Sequence, residues 1–346
     1  MERFIEAGLD YIAEIKRPIQ VAFSGGKDST ALVGLFLLAK QRGIPLDFEV
    51  VHANTLMEMP FLDVHVKAIQ YLCEEAGVTF KFMTAPLKDR FLLNVIGRGV
   101  AIPNRNFRWC TDRLKIRPME KGMRKGSVIV NGERLGESIK RDIKLKEVCG
   151  SPNKDCGVSE QSKIAEVFRP LLNWQACQVW DFIGLMDMEN VLPDIFSPLS
   201  VIYSINQAEN GSLRTGCIGC PLIKKDKSLN AFVLQNPLFA PLGEIKKIYE
   251  RLVLPENRLV RSTTRSDKPQ PGCIKLSSRK LAWLDLLAIE ERLNNNGVEF
   301  QLVEPLERAA IVEALLTEVY PRGYSNTDEQ VLLDISESHK IKLDNC

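Results

Sequence analysis

Eight residues near the N-terminus, Phe23-Ser24-Gly25-Gly26-Lys27-Asp28-Ser29-Thr30, put glycines, hydroxyls, a cation and a carboxylate in one short string. Two adjacent glycines let the backbone approach an anion closely, because no Cβ stands in the way. Lys27 adds a point charge, and Ser24 and Ser29 add hydroxyls that can donate to phosphate oxygens. Asp28 does not favour an anion by itself; it reads as a Mg²⁺ ligand or as a group that orients the loop. The spacing is not the GxxxxGK[ST] of a Walker A loop, since Lys27 is followed by an aspartate. The competing reading is an ordinary turn capped by Ser and Asp.

Cysteines are the second chemical feature, nine in all. Cys149 and Cys156, in CGSPNKDCG, and Cys217 and Cys220, in RTGCIGCP, form two pairs in glycine-containing loops. Four thiolates from two loops suit a tetrahedral Zn²⁺ or a [4Fe–4S] cluster; a disulfide or free thiols stay open. Cys110 stands in Arg105-Asn106-Phe107-Arg108-Trp109-Cys110-Thr111-Asp112-Arg113-Leu114-Lys115. Thr111 or Asp112 can cap a helix there. The helix dipole and the four cations are therefore expected to lower the thiol's pKa and favour the thiolate. The alternative is a structural cysteine beside a solvated basic face. Cys73 and Cys177 read as core, Cys273 and Cys346 as exposed thiols.

The elements that must hold these groups alternate. Ile19 to Phe23 is an apolar strand, and Thr30 to Lys40, apolar nearly all round, is a buried helix ending near Gly43. Residues 1–18 are an amphipathic helix. Asp47 to Ala53 is a second strand, Phe61 to Ala76 a helix and Thr79 to Met83 a third strand. A short helix follows over Phe91 to Gly99. Ser127 to Asn131 and Phe168 to Leu172 complete five strands, with a helix from Trp174 to Gly184. Strands alternating with helices predict a parallel sheet with right-handed crossovers, whose ligands lie at the carboxyl ends of the strands. That places the end of the first strand, His52-Ala53-Asn54-Thr55 and Thr84 on one crevice. A strand, a glycine turn and a helix start also direct backbone N–H groups and the positive helix end at one spot, which suits a phosphate.

Beyond residue 222 the pattern is helical: Leu229 to Gln235, Glu244 to Leu252, Ser277 to Asn294 and Pro305 to Val319. The third of these begins with a serine cap. Before it, Arg258 to Lys280 carries seven cations against Asp267 and is Ser/Thr/Pro/Gly-rich up to Leu276. It reads as a loop, either a solvated basic linker or a phosphate-backbone contact. The division is thus 1–222, a nucleotide domain with the cysteine cluster, and 223–346, a helical region. A net charge of +2 gives the whole molecule no strong pull on nucleic acid, so any such pull is local. Hydrophobic content of 45 % without a bilayer-length apolar run, and an acidic amphipathic start, point to a cytoplasmic protein with no membrane partner. Nine cysteines in that setting argue for thiol or metal chemistry over disulfides.

Four motifs carry a family resemblance. Ser24-Gly25-Gly26-Lys27-Asp28-Ser29 resembles the PP-loop of ATP pyrophosphatases. Val51-His52-Ala53-Asn54-Thr55-Leu56-Met57-Glu58-Met59-Pro60 is similar to the VHADTGxExP element of PAPS reductase-like PP-loop proteins, with Asn54 for the usual Asp and Leu56 for the usual Gly. The run through Arg108-Trp109-Cys110-Thr111 resembles their (R/N)RWCTxxLKxxP element. Gly132-Glu133-Arg134-Leu135-Gly136-Glu137-Ser138-Ile139-Lys140-Arg141 resembles their GxRxxESxxR segment. With the cysteine pairs, the nearest branch is the DndC/SspD type of DNA phosphorothioation sulfurtransferase, although the order of cysteines departs from DndC.

The resemblance implies a HUP-type α/β fold and an enzyme that splits ATP, with Mg²⁺, between the α- and β-phosphates. Phe23, Ser24, Gly25, Gly26, Lys27, Asp28, Ser29, His52, Ala53, Asn54, Thr55, Gly132 and Arg134 would bind the nucleotide. Lys27, Asp28, Arg134 and Arg141 would act on the transferring phosphate, and Cys110 would carry or deliver sulfur. Cys149, Cys156, Cys217 and Cys220 would hold a [4Fe–4S] cluster, with zinc as the alternative. The implied partners are a cysteine desulfurase, DNA as acceptor and other proteins of a modification system. Three other readings compete. One is a PAPS or APS reductase, against which the Lys-Leu-Asp-Asn-Cys terminus argues. The others are tRNA thiolation and a non-enzymatic nucleotide-binding scaffold.

Overall fold

The computed structural model describes residues 1–136, 142–143, 160–161, 165–204, 216–263 and 266–321, with side chains left out at 160–161, 201, 202, 204, 260–263 and 266–271. In chain order the helices are α1 (Glu2–Ala13), α2 (Lys27–Gln41), α3 (Pro60–Glu75), α4 (Trp109–Thr111), α5 (Arg117–Gly122), α6 (Ala176–Met188), α7 (Phe196–Ser204), α8 (Lys227–Gln235), α9 (Gly243–Val253), α10 (Leu276–Asn295) and α11 (Pro305–Leu316). The strands are β1 (Ile19–Phe23), β2 (Phe48–His52), β3 (Phe80–Phe82), β4 (Val128–Val130), β5 (Glu160–Gln161), β6 (Glu166–Phe168), β7 (Arg258–Thr263) and β8 (Ser266–Ile274). Two π-helical turns, Leu93–Gly97 and Asp112–Ile116, interrupt the pattern.

Two compact units share the chain. The described residues of Met1–Ala53, Met59–Met83 and Pro118–Thr215 form the first; those of Asn54–Glu58, Thr84–Arg117 and Gly216–Cys346 form the second. The first unit is built on a sheet of order β3-β2-β1-β4-β6-β5. Five of its strands are parallel, and two-residue β5 pairs antiparallel with β6 at the edge. Helix α2 is buried all round because both its sides are covered. Gly8 of α1 meets Leu35, and Gly34 faces Leu192 and Phe182 of α6. This explains why its sequence lacks a polar stripe.

From β1 the chain moves outward through β2 and β3, then returns to place β4 on the other flank. The switch point therefore lies between the carboxyl ends of β1 and β4, where doubly wound sheets open a crevice. The fifth parallel strand is shorter and earlier than expected: Glu166–Phe168 pairs with β4, and Phe168–Leu172 does not continue the ladder. Pro170 has no N–H to give, and Leu171 and Leu172 are apolar because they pack into the core.

In the second unit Trp283, Leu286, Ile289 and Leu293 of α10 pack with Ile245, Ile248, Tyr249 and Leu252 of α9 in a fully buried core. Helix α10 starts at Leu276 with no side-chain cap; the Ser278 hydroxyl donates to Asn257 Oδ1 instead. The predicted basic loop is an antiparallel ribbon, β7 with β8, broken by two irregularities. Both strands of a two-stranded ribbon are edges, which tolerates Pro269 and Pro271. Three cations of the expected basic patch, one on the ribbon and two on α10, are engaged elsewhere. Arg258 Nε donates to Gly272 O at 2.7 Å, Arg279 is 0 % exposed, and Lys280 lies 3.9 Å from Glu318. Cys273, expected to be exposed, is buried at the end of β8.

Candidate functional site

At the switch point of the first unit the loop after β1 makes a tight cradle. Gly25 has φ +77°, and a Cβ there would fall 2.5 Å from Leu62 Cδ1, so glycine is required twice over. The Ser29 hydroxyl accepts from Ser24 N at 3.2 Å and donates to Gly26 O at 2.9 Å. Thr30 Oγ1 also donates to Gly26 O, at 3.0 Å, and lies 2.8 Å from His65 Nε2. Because the Thr30 proton goes to Gly26, the ring nitrogen must be the donor. Burial drops the His65 pKa to about 4, so the ring is neutral. Helix α2 begins with Gly26 as its N-cap and has no side-chain cap, which leaves its first-turn N–H groups directed at the cradle. The Lys27 N–H points to the Tyr203 hydroxyl at 3.4 Å.

Charge in the cradle is organised by Asp28. One carboxylate oxygen holds Lys27 Nζ at 2.7 Å, and the other accepts from Arg134 Nε at 2.5 Å. Arg134 Nη1 also donates to Trp174 O at 3.0 Å. Two cations are thus fixed beside the helix start by one carboxylate. Both oxygens of Asp28 are engaged, an arrangement that fits the loop-orienting role. Gly132, after β4, lies against the α2 backbone: a Cβ there would sit 2.8 Å from Asp28 O. His52, at the end of β2, is buried and its Nδ1 lies 2.9 Å from Phe23 O, a packed strand-end position. Arg141 lies outside the described residues. Two groups had no sequence signal: Tyr203, and the Arg169–Glu133 pair at 2.8 Å beyond β4 and β6.

The thiols gather in the second unit. Asn54 Oδ1 accepts from Leu56 N at 2.9 Å, and Leu56 adopts φ +60°, the conformation that the family's glycine supplies without strain. Glu58 closes the turn by accepting from Thr55 N at 3.0 Å and Thr55 Oγ1 at 2.7 Å. The strip then pairs with the CxxC loop: Ile218 N donates to Met57 O at 2.7 Å, and Thr55 Oγ1 lies 3.6 Å from Cys217 Sγ. Gly219, at φ +65°, makes the bend between Cys217 and Cys220.

Cys110 departs from expectation. The helix starts at Trp109, before the predicted caps, so Cys110 lies inside its first turn. Its pKa is raised, because burial outweighs the hydrogen bond from Thr111, and the charge on Cys220 adds to the rise. Two of the neighbouring cations are turned elsewhere. Arg113 lies over the Trp109 ring at 5.2 Å and donates to Asn94 at 2.9 Å, and Arg117 pairs with Asp112. Burial likewise pushes Cys217 up to about 11, with Lys115 opposing.

Cys149 and Cys156 lie outside the described residues, and among the described residues no group of three or more His, Cys, Asp or Glu is arranged to hold a metal. Cys217 and Cys220, on a preformed CxxC bend, fit two of the four positions of a thiophilic centre. Cys73 is core as expected, but Cys177, expected in the core, is exposed on α6.

Known proteins are similar to parts of this chain. The model of the phosphoadenosine phosphosulfate reductase domain matches residues 18–192. Two uncharacterized proteins of Methanocaldococcus jannaschii are similar. MJ0066 is 27 % identical over 215 residues, covering 61 % of this chain and 38 % of that protein. MJ0973 is 26 % identical over 231 residues, covering 66 % and 47 %. The chain therefore spans less than half the length of these relatives. Among solved structures, a PAPS reductase from Candida auris in complex with phosphate aligns with TM-score 0.37 and 14 % identity, over 55 % of this chain and 80 % of that one. The U34-tRNA thiolase NcsA of Methanococcus maripaludis, with its [4Fe–4S] cluster, aligns with TM-score 0.38 and 16 % identity, over 73 % and 79 %. At those scores neither alignment carries an argument about chemistry. No helix among the described residues is long and apolar enough to cross a membrane. The five-stranded parallel sheet flanked by helices is of the HUP type, and with the family model matching over half of its length this chain belongs to the phosphoadenosine phosphosulfate reductase domain family.

Proposed function

We propose that this chain is a PP-loop ATP pyrophosphatase that activates an acceptor phosphate for sulfur transfer. The observation that carries the reading is the Lys27–Asp28–Arg134 arrangement at the uncapped start of α2. Two cations and a row of N–H groups converge where a polyphosphate would lie, and one carboxylate holds them in place beforehand. An acceptor oxygen attacks the α-phosphorus of ATP, the bond to the bridging oxygen breaks, and pyrophosphate leaves with its charge met by Lys27 and Arg134. A persulfide sulfur then attacks the activated acceptor phosphorus and AMP departs; a second thiolate attacks the carrier sulfur of the resulting P–S–S adduct, which releases the phosphorothioate and leaves a disulfide between carrier and second thiol. The acceptor we favour is a DNA backbone phosphate, with a cysteine desulfurase as sulfur source and other modification proteins as partners. We assign Cys110 as the thiol that receives and delivers sulfur. If a [4Fe–4S] cluster or zinc is bound, Cys217 and Cys220 supply two of its ligands, and the centre supplies a Lewis-acidic site for sulfide.

A second reading, sulfonucleotide reduction to sulfite, is favoured by the family match itself. One experiment separates the two: incubate the protein with Mg²⁺ and either ATP plus DNA or PAPS plus a thiol reductant. AMP and pyrophosphate from ATP, lost in Lys27→Ala with the fold intact by circular dichroism, support the proposal. Sulfite from PAPS without turnover of ATP sinks it.

A further inference from the structure

Tyr249 is a buried polar group whose role the fold does not explain. It sits on α9 at 1 % exposure, and among the described residues its hydroxyl has no hydrogen-bond partner. A phenol withdrawn from water without a partner loses its hydrogen bond and gains none, so such groups call for an explanation. The surroundings supply one. The ring edge lies against the CxxC bend: a Cβ on Gly219 would come within 3.1 Å of Tyr249 Cε2 and 2.8 Å of Ile245 Cγ2. Phe91 fixes the ring from another side, edge-to-face at 5.5 Å. Among the described residues, the titratable groups that bear on the hydroxyl are Cys217, Glu307 and Cys220. Glu307 is already committed, accepting from Leu93 N at 3.0 Å and lying 3.8 Å from Arg90. The sulfur pair remains.

We propose that the Tyr249 hydroxyl donates a hydrogen bond to the thiolate sulfur of Cys217 or Cys220 when that pair binds a thiophilic metal ion, making Tyr249 a positioning residue of the CxxC site. This rests on the reading of Cys217 and Cys220 as metal ligands. Metal binding requires both thiols to give up their protons. A buried O–H donor lowers the cost by favouring the thiolate, and it draws electron density from the sulfur.

The test titrates the full chain anaerobically with Co²⁺ alone, in the wild type, Cys217→Ser and Tyr249→Phe, following thiolate-to-cobalt charge-transfer absorption. The wild type is expected to develop that band and Cys217→Ser to lose it. Tyr249→Phe should keep the band, shifted to lower energy, with affinity weaker by roughly tenfold, the size expected for a hydrogen bond to a charged group. Metal-free Tyr249→Phe should unfold at or above the wild-type temperature, since no bond is lost. Wild-type affinity and an unshifted band in Tyr249→Phe would overturn the inference while leaving the metal site standing. So would a destabilised metal-free variant, because the hydroxyl would then already have a partner. If the wild type shows no charge-transfer band, the metal-ligand reading falls and the inference falls with it.

Discussion

Acidification should loosen the first unit through His65, and by an amount the structure sets. The ring is buried at 5 % exposure, donates from Nε2 to Thr30, and braces the loop after β1 through the Thr30–Gly26 bond. Its pKa falls from 6.5 to about 4 because burial opposes the charged form. The folded state thus binds a proton less readily than the unfolded chain. Stability is complete above pH 6.5 and is lost as pH falls toward 4. The gap corresponds to ~3 kcal/mol in full, of which ~2 kcal/mol is gone by pH 5. The perturbation is His65→Gln, whose amide keeps a donor for Thr30 and does not titrate. Urea unfolding of both proteins between pH 7.5 and 5 isolates the histidine, because the carboxylates titrate alike in each. The wild type should lose ~2 kcal/mol more than the variant over that range. A difference between the two that stays constant with pH would refute the reasoning, since His65 would then be solvated or charged in the fold.

Three further outcomes follow from the geometry. Gly25→Ala must move Leu62 and hold an alanine at φ +77°, so it should cost roughly 1–3 kcal/mol in thermal or urea unfolding and weaken ATP binding measured by calorimetry. Leu56→Gly should be at least as stable as the wild type by chemical denaturation, whereas Leu56→Val should lose more than about 1 kcal/mol, because a β-branched residue is worse still at φ +60°. Brief alkylation followed by peptide mass mapping should label exposed Cys177 readily and spare Cys73, which is 0 % exposed and has its pKa pushed up to about 12.

Much of the sheet was legible because its signals are local. An apolar run of strand length, a glycine turn and a helix apolar all round leave few alternatives at β1 and α2. The extended basic segment was misread because Ser, Thr, Pro and Gly signal loops, while a ribbon with two free edges imposes little on its sequence. The cradle's chemistry could be read at Lys27 and Asp28, yet the partner that joins them, Arg134, lies 106 residues away and was placed by motif alone. The Cys110 thiolate failed for a different reason. Cations near in sequence turned to Asn94, Trp109 and Asp112, and burial, which no spacing reveals, decided the pKa. Tyr249 was invisible as anything but one apolar position on an amphipathic helix.

The chain crosses between its two units repeatedly, giving a five-residue strip at Asn54–Glu58 and a longer excursion at Thr84–Arg117 to the second before residue 216. On the ribosome, neither unit can therefore finish before most of the chain has emerged. The parallel sheet waits for β6, and the Asn54–Glu58 strip waits more than 150 residues for the CxxC segment that it will pair with. Until then Ile129 and Val130 of β4, whose ladder partners are Val167 and Phe168, offer a nascent strand edge open to pairing with other chains.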